Sequence, residues 1–402
     1  VFHKVFFSQT GNGTTALILS YMSFAIGYIA GPFGAIFFGH IGDRKGRKVT
    51  MYASLLMMGI STSIIGILPP AASAGVGVVI VLQLMRLAQC FGRGGTWGGG
   101  ILMAYENVPE NKRSFYAAIP QIGLPIGFGL SSILIAVPTL LLPEDIFFTW
   151  GWRIPFLAAI ILTLIVIRQK GEMMETEDYK KAQAKLEAEE AEGKKHKVGF
   201  IPMVKGYWKT LLLGCGTRWV DGTFYNIFIV WILSYCINWL GMPLIQTYII
   251  TIIACIFKIP FTLFGGWCAQ KLGNTRTFVI GALASAVLSI PTLKVIELSK
   301  GNLAITIIGI VLGWSIAYNL IWAVISSLWS SYFETEVRYS GISFVYHVPS
   351  FLVAGMVPTI CTLLINYGKG DTIYVGIYST VVALISAACA LALKARHDRG
   401  EK

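Results

Sequence analysis

Apolar runs of about 20 residues recur along this chain from residue 14 to residue 392, and each can cross a hydrocarbon layer of about 30 Å as a helix. That repetition excludes a water-soluble core. With 55% hydrophobic and only 13% charged residues, the chain has too little polar surface to clothe a soluble globule. It reads as an all-α polytopic membrane protein, with the lipid bilayer as its first partner. The hydropathy pattern predicts spans near 14–39, 49–68, 77–104, 114–137, 152–169, 207–237, 243–268, 277–297, 303–331, 340–365 and 372–392.

The formal net charge of +12 would suit a nucleic-acid binder, but the basic residues sit in short loops rather than on one face, so no nucleic acid is expected. If loops alternate sides, one side holds roughly 22 Lys and Arg, against about three on the other: Lys294, Lys300 and Lys369. The basic side is therefore cytoplasmic. The seven cysteines fall inside apolar runs without paired spacing, so neither a disulfide framework nor a metal site follows, and no cofactor is expected.

The organisation expected is an N-terminal helix bundle over 1–169, a cytoplasmic linker over 170–206, a C-terminal six-helix bundle over 207–392 and a basic cytoplasmic tail over 393–402. The linker is rich in Ala, Glu and Lys, with Glu177 and Lys181 at helical i,i+4 spacing. The first complete span starts outside and runs inward, and no methionine begins the chain; a first span is expected to be missing upstream, giving twelve in an intact protein. A faint internal echo supports two halves: Gly39-x-x-x-Asp43-Arg44-x-Gly46-Arg47-Lys48 matches Gly266-x-x-x-Gln270-Lys271-x-Gly273-Asn274-Thr275 in place and spacing. Paired halves with a site between them are a common transporter design.

Ionisable groups inside spans are the main chemical signal, because a charge in hydrocarbon needs a partner or a wet cavity. Arg86, Cys90, Arg93 and Trp97 recur at i, i+4, i+7 and i+11 and share one helix face. Arg218, Asp221 and Tyr225 do the same near the middle of 207–237. These residues either face a cavity or, for Arg218 and Asp221, form an ion pair that fixes packing. Asn319, Trp322 and Ser326 share a face of 303–331, and Gln121 lies in a Pro- and Gly-rich stretch that bends its helix. Tyr346 and His347 suit interhelical packing, and Lys258 has no evident role. No nucleophile triad, nucleotide loop or metal-ligand spacing appears, so an enzyme is not expected.

The loop from Gly39 to Lys48 resembles the hallmark cytoplasmic motif of the major facilitator superfamily. Four further stretches are similar to its metabolite:proton symporter branch, which includes permeases for shikimate, α-ketoglutarate, citrate and proline/betaine. They are 86–99, Glu106-Asn-Val-Pro109, Pro120-Gln121-Ile-Gly123-Leu-Pro125-Ile-Gly127 and Trp150-Gly151-Trp152-Arg153-Ile154-Pro155-Phe156. The resemblance implies the major-facilitator fold of two six-helix halves, alternating access in a bacterial inner membrane, and symport of a small organic acid or zwitterionic metabolite with protons, by a monomer. It also places the helices bearing Arg93, Arg218 and Asn319 around a central cavity.

Departures from the branch pattern bear on the solute. Thr96 stands where the branch has Glu, and Arg93 where an apolar residue is usual. Both changes add positive charge, which favours an anion in a low-dielectric cavity. The residues expected to bind substrate are Arg86, Arg93, Gln121, Arg218, Tyr225, Asn319 and Trp322, with Asp221 as the proton-coupling group. Asp43, Arg44, Arg47, Glu106, Arg113, Glu336 and Arg338 are expected to form a cytoplasmic gate of ion pairs, the alternative being surface charge at helix ends. An uncoupled facilitator or exchanger, or an inactive remnant, are the rival readings.

Overall fold

The structure is a computed structural model that describes residues 13–70, 75–169 and 200–401, with isolated positions 5, 73, 180, 181 and 184. Within them lie eleven helices long and apolar enough to cross a membrane. We number them α1 (Ile18–Gly42), α2 (Lys48–Ile67), α3 (Val76–Glu106), α4 (Glu110–Leu141), α5 (Gly151–Arg168), α6 (Met203–Asn238), α7 (Leu244–Leu272), α8 (Asn274–Leu298), α9 (Leu303–Ser330), α10 (Val337–Tyr367) and α11 (Ile373–Asp398). The expected spans thus stand within a few residues of their predicted bounds. Most of the linker expected over 170–206, and the first twelve residues apart from Val5, fall outside the described set.

Two boundaries differ from the sequence expectation for physical reasons. The segment 39–48 was expected to be a loop, yet helix continues to Lys45 and resumes at Arg47, with Gly46 alone at φ 100 between them. A positive φ of this size is open to glycine and costly for other residues, so one residue reverses the chain. The echo at Gly273 behaves alike: α7 ends at Leu272, Gly273 has φ 89, and α8 starts at Asn274. At the other end, α11 runs to Asp398 through the expected tail, because Ala, Leu, Lys and Arg favour helix and Arg396 and His397 lie at its negative C-terminal end.

Small residues bring helices into backbone contact. A Cβ on Gly34 would lie 2.0 Å from the Phe91 carbonyl oxygen, and one on Gly94 would lie 2.4 Å from the Ala35 nitrogen. α1 and α3 therefore cross with almost nothing between their backbones, as membrane helices often do when small residues meet. Three stretches of wider π-helix, 227–231, 311–317 and 351–355, interrupt α6, α9 and α10. Such bulges accumulate at functional sites because they turn side chains out of regular register.

Outward faces are apolar. On α5 no residue of 154–168 is fully buried, and Ile161, Leu162 and Leu164 stand exposed. A hollow of about 480 Å³ between α1, α2 and α3, lined by Ile29, Phe33, Met57, Leu87 and Phe91 among others, has no polar side chain and suits lipid rather than a polar solute. On the side with few basic residues, Lys294 bonds Glu297 at 3.0 Å and Asp371 at 2.6 Å, tying the end of α8 to the turn before α11. The Lys294 ammonium and the Ile373 amide together hold the Asp371 carboxyl below its usual range.

Candidate functional site

Beside its crossing with α1, α3 carries Arg93 and Trp97. The Arg93 guanidinium lies over the Tyr28 ring of α1, 4.4 Å from its centroid. Trp97 stacks on Tyr346 of α10 at 4.1 Å and meets Trp329 of α9 edge-on at 5.5 Å. From α6, Arg218 lies over the same Tyr346 ring at 4.2 Å. Tyr346 is therefore shared, with Trp97 of α3 and Arg218 of α6 both against it. Cation–π contacts of this kind contribute up to about 2 kcal/mol when desolvated.

Asp221 is the carboxylate of the cluster. One turn along α6, it pairs with Arg218 through Oδ2 and accepts the Tyr318 hydroxyl of α9 on Oδ1. Arg218 is 4% exposed and Asp221 1%, so both are buried mid-helix charges that depend on each other. Tyr225 lies further along α6, its ring meeting Phe128 of α4 at 5.7 Å. Five helices, α1, α3, α6, α9 and α10, thus converge on one aromatic and ionic cluster.

The structure brings together Arg93, Arg218, Asp221 and Tyr225 in this way. It places the four other expected binding residues elsewhere. Gln121 donates to the Trp322 carbonyl at 3.0 Å while the Trp322 indole donates to the Gln121 carbonyl at 3.1 Å, a reciprocal clasp between α4 and α9. Asn319 donates to the Lys258 carbonyl at 2.7 Å and accepts from Thr262 at 3.1 Å, joining α9 to α7. Arg86 lies about two turns from Arg93, its backbone against Gly27 of α1. Tyr28, Tyr318 and Trp329 were missed by sequence reasoning. Trp314, Tyr318 and Trp322 do recur at i, i+4 and i+8, a signal that would have marked Tyr318.

At the end expected to be cytoplasmic, contacts join spans that precede the 170–206 segment to spans that follow it. Glu106, at the end of α3, pairs with Arg338 at the start of α10 at 3.2 Å, and Glu106 is 3% exposed. Arg338 also donates to the Phe333 carbonyl at 3.1 Å. The Tyr339 hydroxyl donates to the Gly95 carbonyl, and Ser326 to Ala117 at 3.4 Å. Arg113 bonds Glu110 at 3.7 Å and lies over Tyr105 at 5.2 Å. The side chains of Asp43, Arg44, Arg47 and Glu336 lie outside the described residues. Because one partner of a buried pair cannot be removed without stranding the other, Glu106→Gln is expected to loosen this seal. Thiol labelling of a cysteine placed at Ser343, beside Gly98, should rise several-fold in inside-out vesicles; unchanged labelling would mean the pair is not a gate.

Among the described residues no cluster of His, Cys, Asp and Glu is arranged to hold a metal ion. The comparisons with known proteins point the same way as the geometry. A sequence model of the Major Facilitator Superfamily matches residues 6–358. The chain is 34% identical to the inner membrane metabolite transport protein YhjE of Escherichia coli K12, over 99% of this chain and 89% of that protein. It is 30% identical to the shikimate transporter of the same organism, over 98% and 88%. The solved structure of the proton:xylose symporter XylE bound to 6-bromo-6-deoxy-D-glucose superposes with a TM-score of 0.75 at 16% identity, covering 97% of this chain and 88% of that one, which establishes the fold. This multi-pass inner-membrane protein, all-helical and built around a buried ionic centre, belongs to the Major Facilitator Superfamily and is a transporter rather than an enzyme.

Proposed function

We propose that the chain is a secondary active transporter that moves a small organic anion, a carboxylate metabolite, together with a proton by alternating access. The observation that carries this reading is the charge of the centre. Arg93 and Arg218 approach one aromatic cluster from opposite groups of helices, and Asp221 is the one carboxylate that the cluster brings to them. A positive balance in a low-dielectric interior attracts an anion, and guanidinium forks match carboxylates in geometry. The bundles 1–169 and 207–392 would rock about this centre on the linker 170–206, with the Glu106–Arg338 pair holding the inner face shut in one state.

Asp221 is the proton carrier in this scheme. A solute carboxylate that takes Arg218 releases Asp221 from that guanidinium, which ties the acid to the arrival of solute. The relatives' names make shikimate the first solute to try, with betaine as a zwitterionic comparison. Proteoliposomes with an acidic exterior should accumulate shikimate, an uncoupler should abolish accumulation, and Arg93→Leu should reduce uptake at least tenfold. Uptake of neutral or zwitterionic solutes alone, indifferent to Arg93→Leu, would refute the anion reading. Downhill uptake that a proton gradient cannot drive uphill would instead identify an uncoupled facilitator.

A further inference from the structure

One ionic group in the middle of the molecule has no part in the site as described. Lys258 of α7 is 0% exposed, and its ammonium has no hydrogen-bond partner among the described residues. It lies over two rings of α9, 4.5 Å from the Trp314 centroid and 4.3 Å from that of Tyr318. The hydroxyl of that same Tyr318 donates to Asp221. One phenol ring thus separates the unpartnered amine of α7 from the ion pair of α6. Cation–π contact offsets only about 2 kcal/mol of an ammonium's desolvation, far less than burial costs.

Arg218 and Lys258 are thus two basic groups beside one acid, Asp221. We propose that Lys258 is the alternative partner of Asp221: when a solute carboxylate engages Arg218, Asp221 leaves that guanidinium and pairs with Lys258. The inference rests on the anion reading given above and deepens it by naming how the binding cation is freed. The arriving anion makes two pairs, Arg218 with solute and Lys258 with Asp221, where there was one pair and an unpartnered amine. Tyr318 is the pivot, bonding Asp221 with its hydroxyl and covering Lys258 with its ring. Lys258 is a positioning residue, because it acts on the solute through Asp221.

A double-mutant cycle on the purified full chain tests this without any ligand. With Arg218→Met alone, Asp221 turns to Lys258 and the protein stays folded. In Arg218→Met/Lys258→Met the carboxylate has no cation, and the apparent Tm should fall well beyond the sum of the single shifts. Adding Asp221→Asn should erase that excess. Additive shifts would overturn the proposal. So would a triple variant that fails to fold like the double, since the defect would then not lie in a stranded carboxylate. In a second arm, thermal shift with shikimate as probe should show Lys258→Met binding at least tenfold weaker than the parent, with Lys258→Arg within a few-fold of it. Equal binding by Lys258→Met would overturn the proposal. If the parent itself does not bind shikimate, the choice of solute fails, and the cycle alone decides the role of Lys258.

Discussion

Asp221→Leu should be among the most damaging single substitutions in the protein, destabilising it by about 3–5 kcal/mol, the usual consequence of stranding one partner of a buried ion pair. Leucine fills the volume but leaves Arg218 a buried cation with no carboxylate beside it, and it leaves the Tyr318 hydroxyl without its acceptor. For a chain of 402 residues, a loss of this size lowers the apparent Tm by roughly 5 °C. Asp221→Asn should cost less, since an amide oxygen still accepts from Tyr318, yet it should abolish proton-driven accumulation. Thermal unfolding in detergent separates the two. If Asp221→Leu is as stable as Asp221→Asn, the Tyr318 hydroxyl on residue 221 does not hold α6 to α9.

The second large effect belongs to the backbone. Gly34→Val would drive a side chain into the Phe91 carbonyl, 2.0 Å from where its Cβ must sit, whereas ordinary contact begins near 3.4 Å. α1 and α3 would have to part by more than an ångström along their crossing. Arg93 and Trp97 would move with α3, away from Tyr28 and Tyr346. Little folded protein is expected, and any that survives should have lost uptake by two orders of magnitude. Gly100→Ala is the matched control: a Cβ there meets nothing within 4 Å, and alanine favours helix over glycine by about 0.5–1 kcal/mol. The yield of monodisperse protein distinguishes the two; equal yields would show that the crossing tolerates separation.

Span positions were legible in the sequence because hydrophobic runs answer to membrane thickness, a constraint that acts residue by residue. The match of Gly46 with Gly273 was legible too, since only glycine takes that backbone conformation readily. The helix face bearing Arg93 and the one bearing Arg218 and Asp221 followed from periodicity. Periodicity could not say what lies opposite a face. Glu106 finds Arg338, 232 positions away, and Gln121 and Trp322 find each other across 201. Lys258 looked idle for the same reason, since its neighbours are rings contributed by another helix. Partner choice depends on how helices rotate and cross, which local spacing does not encode.

The one-residue joints at Gly46 and Gly273 limit how this transporter can move. A single residue reaches at most about 3.6 Å, so α1 cannot slide lengthwise past α2, nor α7 past α8, without tearing helix. Each couple must tilt as a hairpin of fixed register, and any change of exposure from one face to the other has to be made by leaning whole hairpins against their neighbours.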